Sequence, residues 1–160
     1  MANYAFIDGT NLYMGIAELG WHLGTRQFRI YLKEKFNVEK AFYYVGYVEE
    51  RASVYQSIEG DGYIMGYKKT GPSPDNGIRG NVDALLTMHT ILKLGNYDKA
   101  IIVTSDGDFD CLVEYLLGKD KLRRVLAPSW LKCSHLLKIV ARGHLSYLEE
   151  SRGKLEYHKK

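Results

Sequence analysis

Hydrophobic and polar positions along this chain alternate between two patterns. Short runs rich in Val, Ile, Tyr and Phe have the length and composition of β-strands, and the segments between them carry apolar residues at helical spacing. The last helical segment is interrupted near Gly143. The pattern predicts strands over 3–8, 40–48, 62–67, 99–104 and 123–127, and helical segments over 10–20, 50–60, 82–94, 109–118 and 133–150.

Strands that alternate with helices are typical of an α/β fold with a mostly parallel sheet covered on both faces. A chain of 160 residues is long enough for one domain with a substantial core. We expect that domain to span residues 1–150 and to be followed by a basic C-terminal tail, residues 151–160. The loop over 68–80 is rich in Pro and Gly, which excludes regular structure, and a loop of this length is often functional or mobile.

Charge is distributed unevenly along the chain. The net charge is +3, but residues 1–119 hold 12 Lys and Arg against 15 Asp and Glu, whereas residues 120–160 hold 10 against 4. A mildly acidic body followed by a basic last quarter suits a polyanion that basic side chains hold near carboxylates. A solvated basic helix at the C-terminus explains the same charge pattern equally well.

Composition excludes several classes of protein. No signal peptide is visible, no apolar stretch has the length needed to cross a bilayer, and two cysteines cannot form a disulfide framework. We therefore expect a cytoplasmic protein without a membrane partner. The sequence is also compatible with a homo-oligomer.

Two of the predicted strands end in acidic residues. The apolar run over 100–104 leads into carboxylates at alternate positions, and the run over 4–7 leads into Asp8. Carboxylates at the carboxyl ends of parallel strands lie where open α/β sheets place their active sites, and several together repel one another unless a cation neutralises them. The pattern therefore favours a divalent metal site, for which oxygen ligands suit Mg²⁺ or Mn²⁺ rather than Zn²⁺. The alternating residues are Asp106, Asp108 and Asp110.

Two other interpretations of these motifs do not fit the chain. The alternating carboxylates resemble the start of an EF-hand loop, but the sixth position is Cys111 rather than Gly and the twelfth is Leu117 rather than Glu. The string that begins at Asp8 resembles part of the haloacid dehalogenase phosphatase signature. That family's nucleophilic Asp lies two residues earlier, where this chain has Phe6.

Three motifs, taken in their order, resemble the NYN domains of the PIN-like nuclease superfamily. They are Phe6-Ile-Asp-Gly-Thr-Asn-Leu12, Asn81-Val-Asp-Ala-Leu-Leu86 and Val103-Thr-Ser-Asp-Gly-Asp-Phe109. Each motif alone is weak evidence, whereas the ordered set over residues 3–148 is fairly specific. The resemblance implies a three-layer α/β/α domain of the PIN-like, Rossmann-like kind that carries Mg²⁺- or Mn²⁺-dependent ribonuclease chemistry.

The resemblance also assigns roles to residues. Asn11 matches the polar residue after the first Asp and would orient a ligand or contact a phosphate, and we expect Ser105 and Asp110 beside the ligands. The expected reaction is hydrolysis of RNA phosphodiester bonds by an ion-activated water, with 5′ phosphate and 3′ hydroxyl products, in an endonuclease. The positions implied to be catalytic and metal-binding are Asp8, Asp83, Asp106 and Asp108.

Asp83 also has a purely structural interpretation, because it opens a predicted helix and a carboxylate is favourable at a helix N-terminus in any case.

Contacts to RNA, single-stranded or structured, are expected from basic and aromatic side chains. Exposed tyrosines and tryptophans stack on unpaired bases, although Tyr-rich strands also pack well within sheets. The aromatic candidates are Tyr13, Tyr43, Tyr47 and Trp130. The basic candidates are Lys68, Lys69, Arg79, Arg123, Arg124 and Lys132.

His89 departs from the family pattern, because related domains often carry a second Asp six residues beyond the helix-opening one. Six residues make about five-thirds of a helical turn, so this side chain should point away from Asp83. We expect His89 to be structural or to lie behind the metal ligands, rather than to be a ligand itself. The competing functions are a catalytically weak or inactive RNA-binding or scaffold module of the same fold, and a phosphatase or nucleotide hydrolase that uses the same metal. Four candidate acidic ligands favour the nuclease over an inactive scaffold.

Overall fold

The computed structural model describes residues 1–69 and 82–158. Over these residues, six strands run parallel in one sheet: β1 Asn3–Asp8, β2 Val38–Gly46, β3 Ile64–Lys68, β4 Ala100–Val103, β5 Leu122–Ala127 and β6 Leu145–Tyr147. Their order across the sheet is β3-β2-β1-β4-β5-β6, which leaves β1 and β4 at its centre.

Helices connect consecutive strands. The described residues form α1 Gly9–Ala17, α2 Thr25–Phe36, α3 Ala52–Gly60, α4 Asp83–Leu92, α5 Asp110–Gly118, α6 His135–Val140 and α7 Arg152–Leu155. Short 3₁₀ turns cover Glu49–Arg51, Leu94–Asn96, Gly107–Phe109 and Leu148–Ser151. Within residues 1–69 and 82–158, no helix combines the length and the apolar character that crossing a bilayer requires.

The core has two halves, one on each face of the sheet. Successive side chains of a strand point to opposite faces, so Ala5 and Ile7 of β1 join one cluster, whereas Tyr4 and Phe6 join the other. Helices α1, α2, α3 and α7 cover the first face, and α4, α5 and α6 cover the second. The resulting three-layer α/β/α domain with an all-parallel sheet confirms the predicted fold class.

The direction of the chain across the sheet reverses at its centre. From β1 the chain proceeds outward through β2 to β3, and then it returns to β4 and proceeds outward on the other side to β6. In open α/β sheets, such a reversal opens a crevice at the carboxyl ends of the two central strands. Ile7 pairs with Val103, so Asp8 and Thr104 leave their strands at the same level beside this crevice.

Helix α2 was not predicted from the sequence. Its buried residues, Phe28, Leu32 and Phe36, fall once per turn, and most of the other positions are polar or charged. So narrow an apolar stripe gives a weak periodic signal, although three large side chains become fully or almost fully buried. Each such side chain stabilises the fold by about 1.5–3 kcal/mol when it is removed from water.

The region over 133–150 was expected to be helical and contains a strand. Helix α6 ends at Val140, and Gly143 adopts a φ of 83°, which favours glycine and turns the chain into β6. Strand β6 then pairs with β5 at the edge of the sheet. A strand of three residues is too short for its alternation to be recognised in the sequence.

The C-terminal segment packs against the domain rather than extending from it. Leu155 of α7 is fully buried, and its carbonyl oxygen accepts a hydrogen bond from the Gly24 backbone N–H at 2.8 Å. Glu156 forms an antiparallel bridge with Leu23. Residues 152–157 are therefore part of the folded unit, although they were expected to lie in a tail.

Candidate metal centre

Three carboxylates from separate parts of the sequence meet at the crevice. Asp8 is the last residue of β1, Asp106 follows β4, and Asp83 is the first residue of α4. One carboxylate oxygen from each lies within 4.8 Å of the other two. The parallel pairing of β1 with β4 explains the meeting of Asp8 and Asp106, and the start of α4 above the same edge adds Asp83.

Asp8 is the most buried member of the cluster, with 6% of its surface exposed. The Thr104 hydroxyl donates a hydrogen bond to Oδ2 of Asp8 at 3.1 Å. Burial raises the pKa of Asp8 to about 6, because the ionised form loses its hydration. The bond from Thr104 offsets part of this rise, and the negative charge of Asp83 adds to it. An ionised Asp8 therefore lacks a compensating positive charge among the groups that shift its pKa.

Asp106 is oriented by a turn of its own backbone. Its Oδ1 atom accepts a hydrogen bond from the backbone N–H of Asp108 at 2.9 Å and so caps the 3₁₀ turn that begins at Gly107. The backbone N–H of Asp106 donates to the Thr104 hydroxyl oxygen at 3.1 Å. Thr104 thus connects two members of the cluster, since it donates to one carboxylate and accepts from the backbone of the other residue.

Asp83 belongs to the cluster and also begins a helix. Its side chain is partly buried, and its pKa is raised, first by desolvation and then by the negative charges of Asp106 and Asp108. The N-terminus of α4 favours a carboxylate at this position. The local structural interpretation of Asp83 and its place in the cluster are therefore compatible.

Asn11 joins α1 to the segment that follows β4. Its Oδ1 atom accepts one hydrogen bond from the Ser105 backbone N–H at 2.9 Å and one from the Ser105 hydroxyl at 3.0 Å. This double contact holds the first turn of α1 against the Asp106 loop. The relative position of Asp8 and Asp106 therefore depends on a polar pair as well as on the sheet.

Close packing explains two glycines beside the acidic residues. A Cβ atom at Gly9 would collide with the Tyr43 ring and with the Tyr44 carbonyl oxygen, and a Cβ atom at Gly107 would collide with the Ser134 side chain. These positions follow Asp8 and Asp106 directly. The absence of a side chain lets the neighbouring β2 and the segment before α6 approach the acidic loops.

The cluster lies in a cleft of about 520 Å³. Its other walls include Thr10 and Met14 of α1, Glu18 just after that helix, and Lys132 from the segment that follows β5. Lys132 is exposed and supplies a positive charge beside the carboxylates. Sequence reasoning found Lys132 but missed Glu18, which comes near the acidic cluster only when α1 folds.

Thr104 is the other functional residue that sequence reasoning missed. It is fully buried and contacts Asp8, a residue nearly a hundred positions earlier. Its position in the sequence could have indicated this contact, because Thr104 directly follows an apolar strand and lies level with the end of β1.

The structure does not bring all the expected acidic residues into the cluster. Asp108 is exposed, and its charge raises the pKa of Asp83, but it is not a member of the three-carboxylate group. Asp110 begins α5, and its charge raises the pKa of the neighbouring Cys111 thiol. Asp110, like Asp108, is not a member of the three-carboxylate group.

The expected basic contacts also separate in space. Lys68 and Lys69 line a shallow pocket against α4, outside the acidic cleft. Arg123 and Arg124 lie near the amino end of β5, whereas the acidic residues lie at the carboxyl ends of the strands. The Arg123 guanidinium stacks over the Phe36 ring at 5.2 Å, and Arg124 donates to a backbone carbonyl at 3.4 Å. Arg79 lies outside the described residues.

His89 contacts Tyr44 rather than the acidic residues. The Tyr44 hydroxyl oxygen and Nδ1 of His89 are 3.0 Å apart, and the rings meet edge to face at 5.4 Å. Desolvation and the positive charge of Lys93 lower the pKa of His89, which favours the neutral imidazole. This arrangement agrees with the structural role expected for His89.

The donor atoms of the cluster fit a hard divalent cation. Among the described residues, the group that could hold a metal ion supplies carboxylate oxygens alone, and no His or Cys belongs to it. Oxygen ligands of this kind match Mg²⁺ or Mn²⁺. The raised pKa values of Asp8 and Asp83 reflect desolvation and repulsion between carboxylates, both of which such a cation would offset.

Comparison with known proteins places this chain in a family. A crystal structure of a protein of unknown function from Vibrio parahaemolyticus superposes with a TM-score of 0.79 at 20% identity, over 98% of this chain and 96% of that one. At this identity the match shows a shared fold. No curated protein sequence matches the chain significantly. The family model of the NYN domain matches residues 4–147, so the chain belongs to the NYN family of the PIN-like nuclease superfamily.

Proposed function

We propose that this protein is a metal-dependent ribonuclease that hydrolyses internal phosphodiester bonds of RNA. The observation that carries the proposal is the convergence of Asp8, Asp83 and Asp106, whose carboxylate oxygens lie within 4.8 Å of one another in a cleft of an NYN domain. The cleft shares the lining residues Thr10 and Met14 with a neighbouring groove, so the two spaces adjoin across these side chains. Two adjoining spaces suit an RNA strand that extends beyond the cut.

The three carboxylates would hold Mg²⁺ or Mn²⁺. When bound, such an ion supplies Lewis acidity and positive charge, which favour attack of water on a phosphodiester. Asp8, buried and held by a hydrogen bond from Thr104, provides a rigid ligand whose pKa is raised mainly by the loss of hydration. Asp106 is held by its own turn and has one carboxylate oxygen that is not engaged in the capping bond.

The remaining groups of the cleft position the substrate and the attacking water. Asp83 is more exposed than Asp8 and can orient a water molecule through its carboxylate. Lys132 lies on the wall of the same cleft, and its ammonium group would bind the scissile or an adjacent phosphate. Asn11 and Ser105 engage each other and so keep the Asp106 loop in place, rather than contacting the phosphate themselves.

The test is a cleavage assay with end-labelled single-stranded RNA and with DNA of the same sequence, in Mn²⁺, in Mg²⁺ and in EDTA. We expect metal-dependent cleavage of RNA that yields internal products with 5′ phosphate and 3′ hydroxyl ends. Asp106→Asn keeps the capping oxygen and removes the charge, so it should abolish cleavage and leave the fold intact. Asp98→Asn is the matched control, because Asp98 is exposed and lies before β4, at the opposite edge of the sheet.

Each alternative gives a different result in this assay. RNA binding without cleavage in either metal would identify a non-catalytic RNA-binding module, and release of phosphate from mononucleotides without cleavage of RNA would identify a phosphatase. Undiminished cleavage by Asp106→Asn at limiting Mn²⁺ would contradict the proposed metal centre.

A further inference from the structure

A second groove lies directly beside the acidic cleft. It has a volume of about 360 Å³ and runs between α1, the end of β2 and α3. Thr10 and Met14 line both spaces, so the groove and the cleft are separated by two side chains of one helix. The groove therefore adjoins the acidic cleft along α1.

The floor of the groove is apolar and its polar atoms are already paired. Tyr43, Val45, Tyr55 and Ile58 line it and are each less than a tenth exposed. The Tyr43 hydroxyl donates to the Gly9 carbonyl oxygen at 3.3 Å, and the Tyr55 hydroxyl donates to a backbone carbonyl at 3.2 Å. Because these hydroxyls are engaged internally, the floor offers ring and aliphatic surface, which suits the face of a flat ring rather than a polar group.

One side of the groove carries a positive charge that lies beside an aromatic ring. The guanidinium of Arg51 lies 5.7 Å from the centre of the Tyr13 ring, and His22 stacks near the same ring at 6.5 Å. Arg51 is exposed, so its donors remain accessible to an anion from solvent. An apolar floor with a guanidinium beside it matches a ligand that joins a planar apolar ring to an anionic group.

We propose that this groove binds one unpaired nucleotide of the RNA, with its base on the apolar floor and its phosphate against Arg51. The inference rests on the proposed function, because the groove adjoins the acidic cleft, and this makes a nucleotide next to the scissile phosphate the natural occupant. Single-stranded RNA is recognised when unstacked bases are splayed onto aromatic side chains and Arg planes. The groove would thus select single-stranded RNA over a duplex, whose bases remain stacked and paired.

The experiment measures binding without turnover, by NMR titration of the ¹⁵N-labelled protein in EDTA. The probes are AMP, adenosine and ribose 5-phosphate, which separate the base from the phosphate. We expect AMP to shift the amide signals of residues around the groove and to bind at least about fivefold more tightly than ribose 5-phosphate, the lower limit for stacking one base. Equal affinities for AMP and ribose 5-phosphate, or shifts confined to other surfaces, would overturn the proposal.

Two variants with matched controls assign the contacts. Arg51→Ala should weaken the binding of AMP and leave the binding of adenosine unchanged. Lys119→Ala is its control, because Lys119 lies 5.8 Å over the Tyr115 ring on the opposite face of the sheet. Val54→Trp fills the groove from an exposed position of α3 and should weaken both AMP and adenosine. Gln56→Trp, exposed on the same helix but outside the groove, is its control. A control that weakens binding as much as its variant does would contradict the assignment.

The outcomes separate this proposal from the ribonuclease proposal. Base-dependent binding that Val54→Trp removes supports the nucleotide groove even if no RNA is cleaved, in which case only the hydrolytic function fails. Metal-dependent cleavage combined with base-independent binding overturns the groove alone. With an active enzyme, an abasic nucleotide placed at successive positions of the RNA should slow cleavage at one position in the wild type and lose that effect in Val54→Trp.

Discussion

The Thr104 hydroxyl lies 3.1 Å from Oδ2 of Asp8, between two adjacent strands, and this bond is the direct polar link between the two halves of the candidate centre. The same hydroxyl oxygen accepts the backbone N–H of Asp106 at 3.1 Å. A hydroxyl that donates to one acidic residue and accepts from another fixes both. Thr104 therefore lowers the pKa of Asp8 and helps to position the backbone of Asp106.

We predict that Thr104→Val reduces metal affinity by about 10- to 100-fold, the usual effect of removing a group that orients a ligand. The substitution keeps the shape of the side chain, removes the donor to Asp8 and favours its protonated form. The measurement is cleavage rate against Mn²⁺ concentration, where the midpoint should move upward and saturating metal should recover most of the rate. Thr104→Ser should behave like the wild type.

The control for this prediction is Thr90→Val. Thr90 is also fully buried, but its hydroxyl donates to the Leu86 carbonyl oxygen within α4. This change should affect stability and leave the metal midpoint in place. A similar shift of the midpoint in both variants would attribute the effect to general loosening of the core.

The charge on Asp8 destabilises the metal-free protein at neutral pH. The pKa of Asp8 is raised from an ordinary value of 3.8 to about 6, so the folded protein binds a proton more tightly than the unfolded chain. The associated stability is fully present below pH 3.8 and is lost as the pH rises through about 6. A shift of this size corresponds to a loss on the order of 2–3 kcal/mol.

Asp8→Asn should therefore raise the free energy of unfolding at pH 7.5 in EDTA, and the gain should disappear below pH 4. Urea denaturation at several pH values measures it, with Asp98→Asn as the exposed control. Lower stability of Asp8→Asn at pH 7.5 would show that the ionised carboxylate has a favourable partner in the folded protein.

A bound divalent metal ion should offset the loss of stability that the charge on Asp8 causes in the wild type. A ligand that binds only the folded state stabilises it by about 2.7 kcal/mol at a concentration 100 times its dissociation constant. We predict that Mn²⁺ raises the melting temperature of the wild type and of Asp98→Asn but not of Asp106→Asn. Equal increases in all three proteins would place the ion elsewhere on the surface.

The positions of the central acidic residues could be predicted from the sequence because they depend on a simple rule. Asp8 and Asp106 end or follow apolar runs, and parallel strands bring such ends to the same edge. The family motifs also fixed the order of the elements, and the fold they imply is confirmed. What the rule could not supply was which of the alternating carboxylates joins the cluster: Asp106 does, whereas the exposed Asp108 does not.

The basic residues show what a count of charges along the sequence leaves open. Arg123 and Arg124 belong to the basic last quarter, but they precede the apolar part of β5 and so lie at the amino end of a parallel strand. Lys132 follows the same strand and reaches the cleft. Net charge along the sequence does not distinguish the two ends, whereas position relative to the strand does.

This separation predicts different roles for Lys132 and Arg123 in RNA binding. Lys132→Gln should weaken binding of single-stranded RNA and flatten the dependence of log affinity on log salt by about 0.7, the value for one phosphate contact. Arg123→Gln should leave both affinity and slope unchanged. Fluorescence anisotropy of labelled RNA in EDTA measures both quantities. Equal effects of the two substitutions would mean that the RNA path crosses the opposite edge of the sheet.

The pair formed by His89 and Tyr44 gives the last prediction. The Tyr44 side chain is fully buried, and its hydroxyl contacts Nδ1 of His89 at 3.0 Å, so removal of either partner leaves a polar group inside the protein with one contact fewer. We predict that His89→Asn lowers the free energy of unfolding by about 0.5–1.5 kcal/mol, the net value of a typical hydrogen bond. Because His89 does not face the carboxylates, metal-dependent cleavage should remain close to the wild-type rate.

Two further measurements separate this structural role from a catalytic one. The pKa of His89 is lowered by desolvation, so the unfolded chain binds the proton more readily and stability should fall as the pH drops below 6.5. His89→Asn should remove that part of the pH dependence. In a double-mutant cycle with Tyr44→Phe, the two stability losses should be less than additive, because both substitutions remove the same contact. Loss of cleavage with unchanged stability would instead assign His89 to the reaction.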